Sequence, residues 1–79
     1  MIKPTVSERA FEGVAASIHD ARQFMSEIAD LPDSVKLDDV VLVVSELTTN
    51  AVIHAHSPFV VRVEVAIDSV RVELDALAS

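Results

Sequence analysis

The spacing of the apolar residues changes at Pro58, and this change restricts the fold more than any other feature of the sequence. Before it, a segment that begins near Leu37 or Asp38 carries apolar residues on more than one side of a helix, as in a helix packed at the centre of a domain. After it, the odd positions from Phe59 to Ile67 are all apolar, which predicts a half-buried strand. A long helix followed by a strand is therefore expected in the second half of the chain.

A second strand is predicted after the first. Val70, Val72 and Leu74 alternate with three charged residues, and the pair Asp68-Ser69 before them has the length of a tight two-residue turn. This pattern predicts an antiparallel hairpin with its apolar face available to the helices.

Two shorter elements are predicted before the long helix. Thr5–Phe11 alternates loosely and predicts an edge strand that ends at Gly13. Ser17 and Asp20 have the spacing of a capping box, in which both side chains satisfy backbone donors at a helix start. A first helix is therefore expected from about Ile18 to Ala29, with a single apolar face made of Ile18, Ala21, Phe24, Met25, Ile28 and Ala29.

These elements form a simple arrangement. A turn at Leu31–Ser34 separates the two helices, and no repeat or linker divides the chain. The expected fold is one α+β domain over residues 1–79, a two-layer sandwich of two helices packed on a small, mostly antiparallel sheet. A domain of this size buries only about 60% of the surface of its unfolded chain, so its stability should be marginal.

Composition excludes several classes of function. The net charge is −7 and the basic residues are scattered, so direct binding to nucleic acid is not expected. There is no cysteine, which excludes disulfides and thiolate metal sites. The densest apolar run, Val40–Val44, is far shorter than the roughly 20 residues that span a bilayer, and no signal peptide is evident. We therefore expect a cytoplasmic protein with no membrane partner.

Three polar residues recur at every fourth position of the long helix: Glu46, Asn50 and His54. This spacing places them on one stripe that drifts by about 40° per step. Together they offer a proton acceptor, a metal or phosphate ligand and a hydrogen-bonding partner. Each also has a structural explanation: a solvated carboxylate, a helical Asn on an exposed face, and a His that complements the helix dipole.

Magnesium is the metal that best fits this stripe. A zinc-protease motif is absent because His54 and His56 are only two residues apart. One amide oxygen together with substrate phosphates could hold Mg²⁺, which keeps several of its waters. Neither a nucleophile elbow nor a Walker-type glycine loop is present.

The segments DARQFM and LDDVVLVVSELTTNAVIHAHSPF, with the hairpin that follows, resemble the bacterial anti-sigma-factor serine kinases. These kinases belong to the GHKL, or Bergerat-fold, histidine-kinase-like ATPases. The resemblance extends from Phe11 to Leu74 and centres on Glu-x-x-x-Asn-Ala-x-x-His, the N box of that family. It implies a partial Bergerat fold and ATP with Mg²⁺ as cofactors.

The resemblance also implies a role for each residue of the motif. Glu46 would be the general base that takes a proton from a protein serine hydroxyl, or from water in a hydrolase. Asn50 would hold the magnesium ion. His54 would lie near the phosphates or at the pocket rim, with Thr49 and Ile53 as wall residues. The protein partners would be a sigma factor and its anti-sigma antagonist.

The sequence departs from the family after the predicted hairpin. Members continue with an Asp-x-Gly-x-Gly motif that reads adenine and with a glycine-rich lid, whereas this sequence has no glycine after Gly13. Strand alternation also turns Asp75 away from the core face of Leu74, so it does not replace the adenine-reading Asp. We therefore expect a truncated or degenerate member that neither binds ATP tightly nor transfers phosphate.

Two other functions remain open at this point. The chain could be a non-enzymatic protein-interaction or dimerisation module that forms a homodimer, because uncovered sheet edges and apolar patches favour pairing with another chain. It could also be a small acidic domain in which the match to the N box is incidental.

Overall fold

The computed structural model describes residues 4–28 and 31–77. It contains, in chain order, β1 (Thr5–Phe11), α1 (Ala16–Ser26), α2 (Leu37–His54), β2 (Phe59–Val65) and β3 (Val70–Ala76). The strands form one antiparallel sheet in the order β1-β2-β3, and the helices pack against it as a second layer. The predicted α+β two-layer sandwich is confirmed.

The central strand, β2, follows the predicted alternation but is shorter than expected. Its odd-numbered side chains from Phe59 to Val65 are buried, whereas Ile67 lies outside the strand and is 73% exposed. The chain has already turned at that point, because the Ala66 N–H donates to the carbonyl of Ser69 at 2.8 Å. The predicted strand end at Ile67 and the predicted two-residue turn at Asp68-Ser69 are therefore wrong.

The three phenylalanines meet in the core. The rings of Phe11 and Phe59 stack with their centroids 5.5 Å apart, and Phe24 meets Phe11 edge-on at 6.2 Å. One ring comes from each of β1, β2 and α1, so this cluster joins the helical layer to the sheet. Around it lie the fully buried side chains of Ala21, Met25, Val44, Val61 and Val63.

The first helix begins earlier than predicted, and its capping box is absent. The N-terminal cap is Ala15, with no side-chain hydrogen bond, and Ser17 already lies inside the helix. The buried Ser17 hydroxyl turns back and accepts the N–H groups of Gly13 and Val14 at 3.2 and 3.3 Å. The helix ends at Ser26 rather than continuing to Ala29, which itself lies outside the described residues.

The second helix begins at Leu37 as predicted, with Asp38 and Asp39 in its first turn, but it is not buried all round. Its buried face comprises Val40, Val44, Ser45, Thr48 and Val52. Leu42 and Ile53 are more than half exposed, and Val43 and Leu47 are also exposed. The helix was expected to pack at the centre of the domain with apolar groups buried on more than one side, but among the described elements only α1 and the sheet pack against it, so its outer face is exposed.

Candidate functional site

An open groove of about 340 Å³ lies between α1 and α2. Arg22 is its contribution from α1, and the other lining residues come from successive turns of α2: Leu42, Ser45, Glu46, Thr49 and Asn50. The acidic and amide members of the polar stripe, Glu46 and Asn50, therefore share one groove with a cation. Thr49 lines the same groove.

The guanidinium of Arg22 is fixed to α2 by a side-chain hydrogen bond. Its Nε donates to the Oγ of Ser45 at 2.7 Å, and the Ser45 hydroxyl donates to the carbonyl oxygen of Val41 at 2.8 Å. The terminal nitrogens of the guanidinium remain as further donors. Neither Arg22 nor Glu46 belongs to an ion pair among residues 4–28 and 31–77.

The hydroxyl groups along α2 are used mainly to bond the helix itself. Thr49 donates to the carbonyl of Ser45 at 2.6 Å, and the fully buried Thr48 donates to the carbonyl of Val44 at 2.7 Å. Such bonds to the preceding turn satisfy a hydroxyl in a helix without a tertiary partner. Thr49 can therefore shape the groove wall and still accept a hydrogen bond from a ligand.

The remaining predicted site residues lie apart from this groove. Ile53 and His54 are exposed and do not line it, and His54 is the last residue of α2. Asp75 is exposed on β3 and paired in register with Val60, on the sheet face opposite the half-buried Val72 and Leu74. The structure thus brings together Glu46, Thr49 and Asn50 of the predicted residues.

The groove lining includes two kinds of group that a magnesium nucleotide uses. The exposed Asn50 supplies the amide oxygen that a mostly hydrated Mg²⁺ can use, and Arg22 supplies a cation with spare donors for phosphate oxygens. Adenine sites need an extensive apolar wall, and Leu42 is the one apolar side chain in the described lining. These side chains could hold a hydrated metal ion and phosphates, whereas the lining offers little apolar surface for a base.

Arg22 and Ser45 are the polar groove residues that the sequence pattern did not predict. Arg22 is the one Lys or Arg in α1, so the presence of a single cation opposite the polar stripe was a usable signal. The direction of the Arg22 side chain could not be predicted from the sequence, because its contact with α2 depends on how α1 crosses α2. Ser45 directly precedes Glu46 and lies on the buried face of the helix, where most of the side chains are apolar. No feature of its sequence position indicated a role at the groove.

No group of three or more His, Cys, Asp or Glu side chains that could hold a metal ion occurs within residues 4–28 and 31–77. In the same part of the chain, no helix combines the length and apolar character needed to cross a bilayer. Comparisons with protein-family models, with curated proteins and with solved structures found no match to this chain.

Proposed function

We propose that the chain is an ATP-binding regulatory protein of the anti-sigma-factor serine-kinase type, in a degenerate form, that acts in the cytoplasm on a sigma factor and its antagonist. One observation carries the proposal. The Glu46 and Asn50 of the N-box-like motif line the same groove as Arg22, so a carboxylate, an amide and a cation face one ligand-sized space.

Each of these side chains has a chemical role in the proposal. A magnesium triphosphate, when bound, supplies the transferable phosphoryl group. Asn50 would hold the metal through its amide oxygen, and Arg22 would donate to phosphate oxygens and offset their charge. Glu46 would be the group positioned to take the proton of a serine hydroxyl in an active kinase of this type, a transfer that the degenerate form is not expected to complete. The bond from Arg22 to Ser45 keeps the guanidinium at the groove.

Titration of a fluorescent ATP analogue with Mg²⁺ tests the proposal. Saturable binding is expected for the chain. The dissociation constant of Asn50→Ala should be at least about tenfold larger, because the loss of about 1.4 kcal/mol of ligand contact corresponds to a factor of ten. Gln23→Ala is the matched control, since Gln23 is an exposed neighbour of Arg22 outside the groove lining. Undetectable binding, or equal binding by Asn50→Ala, would contradict the proposal.

Glu46→Gln separates the proposed base from the metal ligand. The substitution removes a negative charge from the groove and keeps its size, so the analogue should bind with equal or higher affinity. Proton acceptance should be lost, because an amide is not a base at neutral pH. Weaker analogue binding by Glu46→Gln would show that this side chain holds the ligand and would overturn its assigned role.

A non-enzymatic interaction module is the second candidate function. It is favoured by the exposed apolar side chains of α2, Leu42, Val43, Leu47 and Ile53, which lie along the surface of a single helix. Exposed apolar surfaces of this kind can mark contacts with other proteins. Loss of partner binding when these apolar side chains are replaced, together with unchanged partner binding by Asn50→Ala, would favour this candidate.

A further inference from the structure

We propose that two copies of this chain associate through the outer edge of β3, which pairs antiparallel with the same edge of the second copy so that Val72 lies opposite Val72. The strand lies at one end of the order β1-β2-β3, and nothing within residues 4–28 and 31–77 pairs with its outer side. An edge strand of this kind presents a row of unpaired backbone groups.

The backbone pattern shows which groups point outward. The bonds from Ala66 N–H to Ser69 and from Leu77 N–H to Pro58, at 2.8 and 2.9 Å, close the two ends of the β2–β3 ladder. Antiparallel pairs alternate between hydrogen-bonded and non-bonded, so the odd-numbered residues of β3 bond to β2. The outward N–H and C=O groups therefore belong to the even-numbered residues: Val70, Val72, Leu74 and Ala76.

Charge determines the register of the proposed pairing. With Val72 opposite itself, Val70 pairs with Leu74 of the second copy, and Arg71 lies opposite Glu73 of the second copy in both directions. These charged pairs are the non-bonded ones, in which side chains approach most closely. Arg71 and Glu73 already form an ion pair at 2.9 Å within one strand, so a dimer would assemble four alternating charges.

Competing registers lack this complementarity. Shifting the pairing register so that Val72 lies opposite Leu74 of the second copy places Glu73 of one copy opposite Glu73 of the other, which is unfavourable. The other edge strand, β1, cannot form such pairs at all, because Glu8 and Arg9 are adjacent and point to opposite faces of the sheet. The charge pattern therefore selects β3 and a two-fold axis at Val72.

The apolar surface beside β3 supports the same occupant. A groove of about 200 Å³ between α2 and β3 is lined by Asp39, Val40, Val43, Val70 and Val72. The inward side chains of β3 are only half-buried in one copy. Pairing at this edge would continue their apolar face onto the second copy and bury more of this surface.

Charge reversal at the edge tests the proposal. In sedimentation velocity over a concentration series, the wild-type chain should form dimers. Arg71→Glu and Glu73→Arg should each weaken dimerisation by about tenfold or more, because each replaces two attractive pairs with like charges. An equimolar mixture of the two variants should form heterodimers, and the double variant Arg71→Glu with Glu73→Arg should dimerise like wild type.

Glu8→Arg is the matched control. In the sheet register, Arg62 of β2 lies between Glu8 of β1 and Glu73 of β3. Glu8→Arg therefore makes the same charge reversal as Glu73→Arg, on the same face of the sheet but at the opposite edge. This control should leave the dimer unchanged. A wild type that stays monomeric at millimolar concentration, equal weakening by Glu8→Arg, or a mixture that remains monomeric would each overturn the proposal. The double variant preserves the test if a single variant unfolds.

Discussion

At the scale of single residues, Gly13 has the strictest requirement in the chain. It adopts φ +83°, and a Cβ at this position would collide with the backbone carbonyl of Ser57. The segment before α1 therefore lies directly against the segment after α2. Only the absence of a side chain allows this contact, so the one glycine of the sequence lets the loop before α1 pack against the loop after α2.

Gly13→Ala should destabilise the fold. The left-handed conformation alone costs about 1–2 kcal/mol for a residue with a Cβ, and the collision with Ser57 adds to this cost. Urea unfolding followed by circular dichroism measures the change. Glu12→Ala, at the exposed neighbouring position, should change the unfolding free energy by no more than about 0.5 kcal/mol. Equal effects of the two substitutions would contradict the tight contact at Gly13.

At the scale of elements, α2 has a buried face that packs in the core and an outer face that lines the groove. The buried face carries Val44 and Thr48 against the core, whereas the outer face carries Leu42 and the groove residues Glu46 and Asn50. The groove residues are therefore held by a helix whose position is fixed from behind. Changes to the outer face should alter ligand or partner binding more than stability.

Val44→Ala and Leu42→Ala form a matched pair on this helix. Val44 is fully buried, so removing two methyl groups should cost about 2 kcal/mol, from the transfer term and the cavity left behind. Leu42 is 58% exposed, so its truncation should cost well under about 1 kcal/mol. Thermal or urea unfolding of both variants gives the comparison. A larger loss for Leu42→Ala would mean that the outer face is covered.

At the scale of the whole molecule, a small aromatic cluster within the core joins the helical layer to the sheet. Phe59 is almost fully buried in the central strand and stacks on Phe11, which meets Phe24 of α1. A domain of this size has a small reserve of stability, because it buries a smaller fraction of its surface than larger domains do. The loss of one ring should therefore affect every element together.

Phe59→Ala should leave a large fraction of the chain unfolded at 25 °C. Truncation of a buried Phe costs about 3–5 kcal/mol, which is comparable with the total stability of a small domain. The near absence of a cooperative urea transition would show this. Phe59→Leu, which retains most of the apolar volume, is the control and should keep the transition. A stable, cooperative Phe59→Ala variant would show that the cluster is not central.

The outcome for individual elements shows where sequence periodicity is sufficient. Thr5–Phe11, the start of α2 and the inward alternation of β2 all follow from local spacing, because the period of the side chains fixes which of them share a face. The errors lie at ends and caps. Ser17 bonds backward to Gly13 instead of capping a later helix start, and β2 ends before Ile67. These choices depend on neighbouring segments and not on the period.

For the candidate site, the sequence by itself placed Glu46 and Asn50 one turn apart on a helix, since that follows from helical geometry alone. Only the tertiary structure decided that Arg22 joins them while His54 and Ile53 lie outside the groove, because the crossing of α1 over α2 selects which part of the stripe it meets. The exposure of the outer face of α2 was decided in the same way. The sequence of a helix determines which side chains share a face, but which of these faces are covered depends on elements distant along the chain.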